Sequence, residues 1–341
     1  MTHTSSTAPS PYNAVRVMVL GATGFIGRWV ASALGAQGAE LIVVGRDGRA
    51  TDSMMQGLHI RGTIVTADLA QPHVVRDVLA QSRPSVVFNL SGYGVDTSER
   101  DANTSAAINA DLPATLAEAM ATMRDDAWRG QHVIHAGSAL EYGTAAGDLE
   151  EHTTGTPTTL YGRTKLDGTV RLHASAKSLG LRAVTGRLFT VFGPGEHEGR
   201  LLPSILAGAR GAAPIRLSAG TQHRDFTFVD DVVEGLLRLG ALPTADAGVV
   251  NLATGTLTTV RRFVEIASEV AGIPAERLEF GALPTRAEEM NHDAVNVMRL
   301  RALTGWTPAT TIEEGVGRTL RVLSTPLAES SPPPAPRSPS A

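Results

Sequence analysis

The segment Gly21-Ala-Thr-Gly24-Phe-Ile-Gly27 constrains this 341-residue chain more than any other, because it joins a short β-branched run at 15–20 directly to a helical pattern at 25–36. Glycines at such a junction let the backbone approach a pyrophosphate, whose charge then sits on the helix N-terminus. A tight turn that packs a helix close to its strand would use the same glycines. The strand, turn and helix in sequence are what give the motif weight.

The rest of the chain repeats that context. Apolar runs at 40–44, 64–66, 85–90, 132–136, 183–188 and 248–252 alternate with helical patterns at 72–81, 106–123 and 160–179. This order predicts an α/β fold, a doubly wound parallel (Rossmann-type) sheet whose ligands lie beyond the carboxyl ends of the strands. After residue 188 the pattern loosens into Gly- and Pro-rich turns, a helix near 202–209 and short strands near 215–217 and 226–229, the makings of a smaller C-terminal α/β substrate lobe. The expected division is a nucleotide-binding domain of 14–188 plus about 230–255, and a lobe of 189–229 plus about 256–324. Residues 1–13 and 325–341, rich in Ser, Thr and Pro, bury too little side chain to offset ordering entropy and are expected to be disordered tails.

Composition excludes other classes. A formal charge of -4 leaves no broad basic field for a nucleic acid or an anionic membrane. No run approaches the ~18 apolar residues of a membrane span, and the N-terminus lacks a signal-peptide core. With no cysteine there is no disulfide, thiolate metal ligand or thiol nucleophile, which fits a reducing compartment. The expectation is a cytoplasmic protein with no metal, nucleic-acid or membrane partner.

Two further patterns bear on a nicotinamide dinucleotide. The second strand ends Val43-Val44-Gly45-Arg46, without the acid that would hold a ribose 2′-hydroxyl. Arg46, and Arg28 just past the fingerprint, are suited instead to a 2′-phosphate, so NADP(H) is expected over NAD(H). Asp68, past the third strand, either reaches the adenine edge or caps the next helix. Tyr161-Gly-Arg-Thr-Lys165 then places a phenol and an ammonium on one helical face. The chain has four Tyr and only two Lys, Lys165 and Lys177, so chance gives this spacing only a few per cent of the time. Lowering a phenol from ~10 to ~7 takes ~4 kcal/mol, and a neighbouring ammonium is the right charge to supply it. Ser138, ending the fifth strand, is placed to hold a substrate oxygen or to cap a turn.

With these residues the chain resembles the extended short-chain dehydrogenase/reductases, in their nucleotide-sugar epimerase/dehydratase/reductase branch. The markers, spread from about residue 15 to 323, are the glycine turn, Ser138 with Tyr142-Gly143, Tyr161-x-x-x-Lys165, Arg187-Leu-Phe-Thr-Val-Phe-Gly-Pro-Gly195, Arg224-Asp-Phe-Thr-Phe-Val-Asp230, Asn251-Leu-Ala-Thr-Gly255 and Gly305-Trp-Thr-Pro308. The resemblance implies that Tyr161 is the acid/base, that Lys165 binds the nicotinamide ribose and tunes Tyr161, and that Ser138 polarises the reacting oxygen. It implies cofactor contacts from Gly21, Thr23, Gly24, Phe25, Ile26, Gly27, Leu69, Asn89, Leu90 and Ser91. It puts Asn109, Thr190, Arg224 and Arg286 near a nucleotide-sugar substrate, with Arg286 equally suited to tying loops together. It also implies a homodimer, to which the Ala- and Leu-rich helical patterns at 106–123 and 160–179 are suited.

Departures from the pattern narrow the reaction. Ala139-Leu140 follow Ser138 where sugar 4,6-dehydratases carry an Asp-Glu pair for elimination, and Glu141-Tyr142-Gly143 looks like the segment of bacterial 4-ketosugar reductases. Thr190 replaces an asparagine common among epimerases. The expected activity is NADPH-dependent reduction of a nucleoside-diphosphate 4-keto-6-deoxyhexose in deoxysugar biosynthesis. A 4-epimerase with tightly held NAD(P) is the alternative, and a non-catalytic cofactor-binding regulator stands behind it.

Overall fold

Val17 and Val19 are buried on one face of the first strand and Met18 and Leu20 on the other, so the strand needs helices on both sides. The computed structural model, which describes residues 10–95, 99–209, 211–245, 247–284 and 292–324, meets that need. Arg286 and the expected tail at 325–341 lie outside the described residues.

In chain order, β1 (Arg16–Leu20), β2 (Glu40–Gly45), β3 (Thr63–Thr66), β4 (Val86–Asn89) and β5 (Val133–Ser138) are followed by the two-residue β6 (Asp148–Leu149) and β7 (Ala183–Leu188). Then come β8 (Thr190–Phe192), β9 (Ile215–Leu217), β10 (His223–Phe228), β11 (Gly248–Leu252), β12 (Leu257–Thr259), β13 (Leu278–Phe280) and β14 (Ala294–Val295). Seven strands form one parallel sheet in the order β11-β7-β5-β4-β1-β2-β3, whose direction of winding reverses between β1 and β4. Ligands bind at that switch point in open α/β sheets.

Helices α1 (Phe25–Ala36) and α2 (Gly48–Gly57) pack on one face of the sheet, and α3 (Pro72–Ser82) on the other. That second face is completed by α4 (Ala102–Ser105), α5 (Leu112–Thr122) and α6 (Leu160–Ser178). The chain continues through α7 (Leu201–Ala209), α8 (Val229–Gly240), α9 (Val260–Val270), α10 (Met298–Thr304) and α11 (Ile312–Ser324). The later strands and helices build a second core around Phe192, Phe226, Phe228 and Phe263, with Phe226 and Phe263 stacked 4.1 Å apart. Phe25, Ile26 and Trp29 of α1 pack against it, and Trp29 Nε1 donates to Pro194 O at 2.8 Å.

Three details differ from the sequence reading. Helix α2 was not foreseen, since only Thr51 and Met55, one turn apart, are buried in it. The helix expected at 106–123 starts earlier, where Asp101 accepts from Thr104 N at 2.7 Å, and it widens into a π segment at Ala106–Asp111. Pro113 explains the widening, because a proline ring collides with the carbonyl four residues back in a regular α-helix, here that of Asn109. Finally, of the expected tail at 1–13 residues 1–9 lie outside the described residues, and the rest is anchored at Tyr12, which is 1% exposed. Its ring packs on Phe88 and Trp128, and its hydroxyl donates to Leu237 O at 2.7 Å. One aromatic side chain with a satisfied hydroxyl outweighs the polar composition around it.

Replacing Tyr12 with Ala removes that packing and is expected to destabilise the fold by about 3 kcal/mol. Denaturant unfolding checks this through a lowered midpoint with an unchanged slope.

Candidate active site

Leu20 hands the chain to Gly21 at φ 73°, a left-handed conformation that glycine adopts without strain. A Cβ at Gly21 would lie 2.7 Å from the Leu90 backbone beyond β4, and one at Gly27 would lie 2.1 Å from Gly21 O. The turn is therefore pressed between two strands and its own helix. Gly24 has no side chain with which to cap α1, so first-turn N–H groups of that helix remain for an anion. This cradle fits the pyrophosphate of a dinucleotide.

The two arginines expected at a 2′-phosphate part company. Arg46 is exposed at the end of β2. Arg28 donates instead to Gly24 O at 3.1 Å and Thr23 O at 2.8 Å, and its guanidinium lies against Gly195, in the loop after β8. Arg28 thus braces the turn through its own backbone carbonyls. No acid stands at Gly45, where a Cβ would lie 2.1 Å from Thr51 Oγ1. The nearby Asp47 caps α2 through Arg49 N and Ala50 N. Asp68 is exposed and accepts from Ala70 N at 3.0 Å, within the turn before α3 and not as the cap of that helix, while Leu69 sits in the core.

Helix α6 carries Tyr161, Lys165, Thr169 and His173 at four-residue steps, a polar stripe whose members meet partners on or beside the sheet. Lys165 Nζ donates to Ser91 O at 3.4 Å, Thr169 Oγ1 to Glu141 Oε1 at 3.3 Å, and His173 Nε2 meets Thr185 Oγ1 at 3.0 Å. Ser138 ends β5, its Oγ accepting from Leu140 N at 3.2 Å and its side chain hydrogen-bonding with Tyr161. Ser138, Tyr161 and Lys165 are therefore brought to one place at the carboxyl ends of β4 and β5. Asn89 is buried, with Nδ2 at 3.1 Å from His135 Nδ1, and its Oδ1 accepts from the Ser91 amide and hydroxyl.

Burial pushes the Tyr161 phenol above its ordinary value and the Glu141 carboxylate pushes it further, against the opposing pull of Arg200 and the Ser138 hydrogen bond. Lys165 is not among the charges that act on this phenol. Both groups are buried, and burial penalises each charged form: the Lys165 ammonium is itself brought down to about 8, although Glu141 opposes the fall. Burial and the Glu141 charge both favour the protonated form of Tyr161.

Asn109 is buried in the π segment, with Nδ2 donating to Tyr93 O at 2.7 Å and Thr164 Oγ1 at 3.0 Å while Oδ1 accepts from Tyr93 N at 3.0 Å. These bonds tie the loop after β4 to α6. Thr190 opens β8 beside Phe226 of β10, and Arg224 lies two residues up that same strand.

Three features were missed in the sequence. Glu141 is fully buried and pairs with Arg187, with Nε and Nη2 each 3.0 Å from Oε2, while the Arg187 guanidinium stacks 4.3 Å over Tyr142. Glu196 has a buried carboxyl raised by burial to about 7 against the nearby Arg200, whose Nε is 3.8 Å away. Arg200 in turn acts on Tyr161. Only Glu141 left a signal, the Ser-x-x-Glu spacing of a capping box with Ser138, which the structure contains.

Among known proteins, the family model described as "NAD dependent epimerase/dehydratase family" matches residues 17–253. The dTDP-6-deoxy-L-talose 4-dehydrogenase (NAD(P)(+)) of Kitasatospora kifunensis is 31% identical, over 90% of this chain and 95% of its own. The UDP-glucose 4-epimerase of Mycolicibacterium smegmatis is 29% identical, over 90% and 97%. The structure of MoeE5 in complex with UDP-glucuronic acid and NAD superposes with a TM-score of 0.74 at 27% identity, covering 90% of this chain and 98% of that one. No helix among the described residues is long and apolar enough to cross a membrane.

Burial pushes His132 and His292 down to about 4 and His135 well below its usual range. Unfolded histidines, near 6.5, take up protons that these native ones refuse, so stability is fully present above pH 6.5 and is lost as pH falls towards 4. A melting temperature that drops between pH 7 and pH 5, less so in His132→Phe, is the expected result of thermal scans.

Proposed function

The chain belongs to the NAD dependent epimerase/dehydratase family of oxidoreductase-type enzymes, and on that premise we propose that it reduces the keto group of a nucleoside-diphosphate 4-keto-6-deoxyhexose with NADPH. The observation that carries this reading is the placement of the Tyr161 phenol beside the Ser138 hydroxyl, with Lys165 one helical turn on, at the strand ends next to the glycine cradle. A proton donor is what carbonyl reduction consumes.

A dinucleotide held by its pyrophosphate in the glycine cradle would supply the hydride from its nicotinamide. Ser138 and Tyr161 hold the substrate oxygen between two hydroxyls, and the Tyr161 proton passes to that oxygen as its carbon is reduced. Lys165, tethered at Ser91 O, positions the cofactor ribose and stands beside the phenolate that results. Ala139 and Leu140 supply no acid-base pair, which separates this site from the elimination of water. Exposed Arg46 beyond an acid-free Gly45 favours the 2′-phosphate, and the Kitasatospora relative, named for both nicotinamides and for C4 of a dTDP-6-deoxyhexose, supports the substrate class.

A second reading, a nucleotide-sugar 4-epimerase, is favoured by the Mycolicibacterium relative and by the NAD in the MoeE5 structure. It requires interconversion of two sugar nucleotides with no net loss of NADPH.

The test is NADPH oxidation against a panel of 4-keto nucleotide sugars. Turnover is expected with NADPH above NADH, and net epimerisation without oxidation would replace the first reading with the second. Tyr161→Phe is expected to cut kcat by at least ~100-fold with NADPH affinity held within a few-fold. Arg46→Ala is expected to raise the KM for NADPH about tenfold and to leave that for NADH unchanged; equal effects on both would detach Arg46 from the 2′-phosphate.

A further inference from the structure

A fully buried carboxylate touches three elements that build the site. Glu141 Oε1 accepts from Ser138 N at 2.8 Å and from Thr169 Oγ1, one turn beyond Lys165, and Oε2 takes the fork of Arg187. Gly137 leaves room for it, since a Cβ there would lie 2.7 Å from Oε1. We propose that Glu141 is the positioning residue of this centre, a buried anion held by Arg187 that fixes the Ser138 backbone and sets a negative charge behind Tyr161 and Lys165. The assignment rests on the reading of Ser138, Tyr161 and Lys165 as the working set.

A buried ion pair seldom repays its desolvation in stability, so the cost of this one points to a role beyond holding the fold. Its placement says what the role is. Burial favours the neutral amine at Lys165 and Glu141 opposes it, so without the anion a smaller share of Lys165 would be the ammonium that holds the cofactor ribose. The same charge adds to the upward push that burial already gives the Tyr161 phenol. The other charged or titratable groups acting on this pair are Glu99 and Arg200 on Tyr161 and His135 beside Lys165, and Arg187 and Tyr142 complete the surroundings of Glu141. Arg187 balances the carboxylate from β7, but it reaches Tyr142 rather than Lys165.

The chain has only two lysines, so the amine of Lys165 is directly readable. In the full-length protein carrying lysine labelled with 15N at Nζ and 13C at Cε, NMR gives two side-chain signals, assigned by Lys177→Arg. The Lys165 signal is expected to titrate near pH 8. In Glu141→Gln its midpoint is expected to fall by on the order of one pH unit. Because that variant leaves Arg187 buried and unpaired, the double replacement Glu141→Leu with Arg187→Met, which removes both charges together, carries the same expectation in a folded protein. A Lys165 midpoint that stays at its wild-type value in either folded variant overturns the proposal. The titration needs no sugar substrate, so failure of the reductase assay and failure of this inference are separate results.

Discussion

The approach of Gly27 to the carbonyl of Gly21 is the contact on which the arrangement depends. It seats α1 against β1 so closely that neither position tolerates a side chain, and it turns the start of that helix towards the gap between β1 and β4. Everything else is hung from this geometry. Arg28 braces the turn from behind, and Trp29 fastens the same helix to the loop at Pro194. The phenylalanine core of the later lobe packs on Phe25 and Ile26, so the two cores share one helix. The fingerprint residues thus serve as a joint between layers as well as a cradle, and the apolar ones do the joining.

A second organising element is the polar stripe along α6. Polar side chains at four-residue steps on a helix facing a sheet are costly unless each meets a partner, and here each does. The stripe runs through a layer whose other contacts are aliphatic, with Leu172 and Ala176 on the same helix buried in the core. Satisfying polar groups in such surroundings leaves few alternative placements for the helix, because a rotation would strand several of them at once. The π segment across from it works to the same end: Gly168 of α6 lies against the Asn109 carbonyl, where a Cβ would come within 1.9 Å, and the Asn109 side chain reaches Thr164.

Much of this was legible from residue order alone, for a physical reason. Strands buried on both faces read as near-continuous apolar runs, so β1, β2 and β4 announced themselves, and the glycine turn and the Tyr161 to Lys165 spacing stood next to them. What was hidden depends on neighbours distant in sequence. Tyr12 lies in polar company and is buried by Phe88 and Trp128. Arg28 has the right chemistry for a phosphate but finds nearer carbonyls, and Asn109 lies in a helix whose widening follows from a proline four residues on. Glu141 carried a short-range sign, the capping spacing with Ser138, yet its pairing with Arg187 spans 46 residues. Glu196 and Arg200 sit in an irregular loop, where no periodicity foretells which side chain turns inward.

The anchoring of Tyr12 has a temporal consequence. Its hydroxyl bonds to the carbonyl of Leu237, 225 residues later in the chain. During synthesis Tyr12 must wait, unclasped, until α8 has left the ribosome before it can find its seat. The hydrogen bond that ties it to that helix therefore cannot form before about two thirds of the chain has been made.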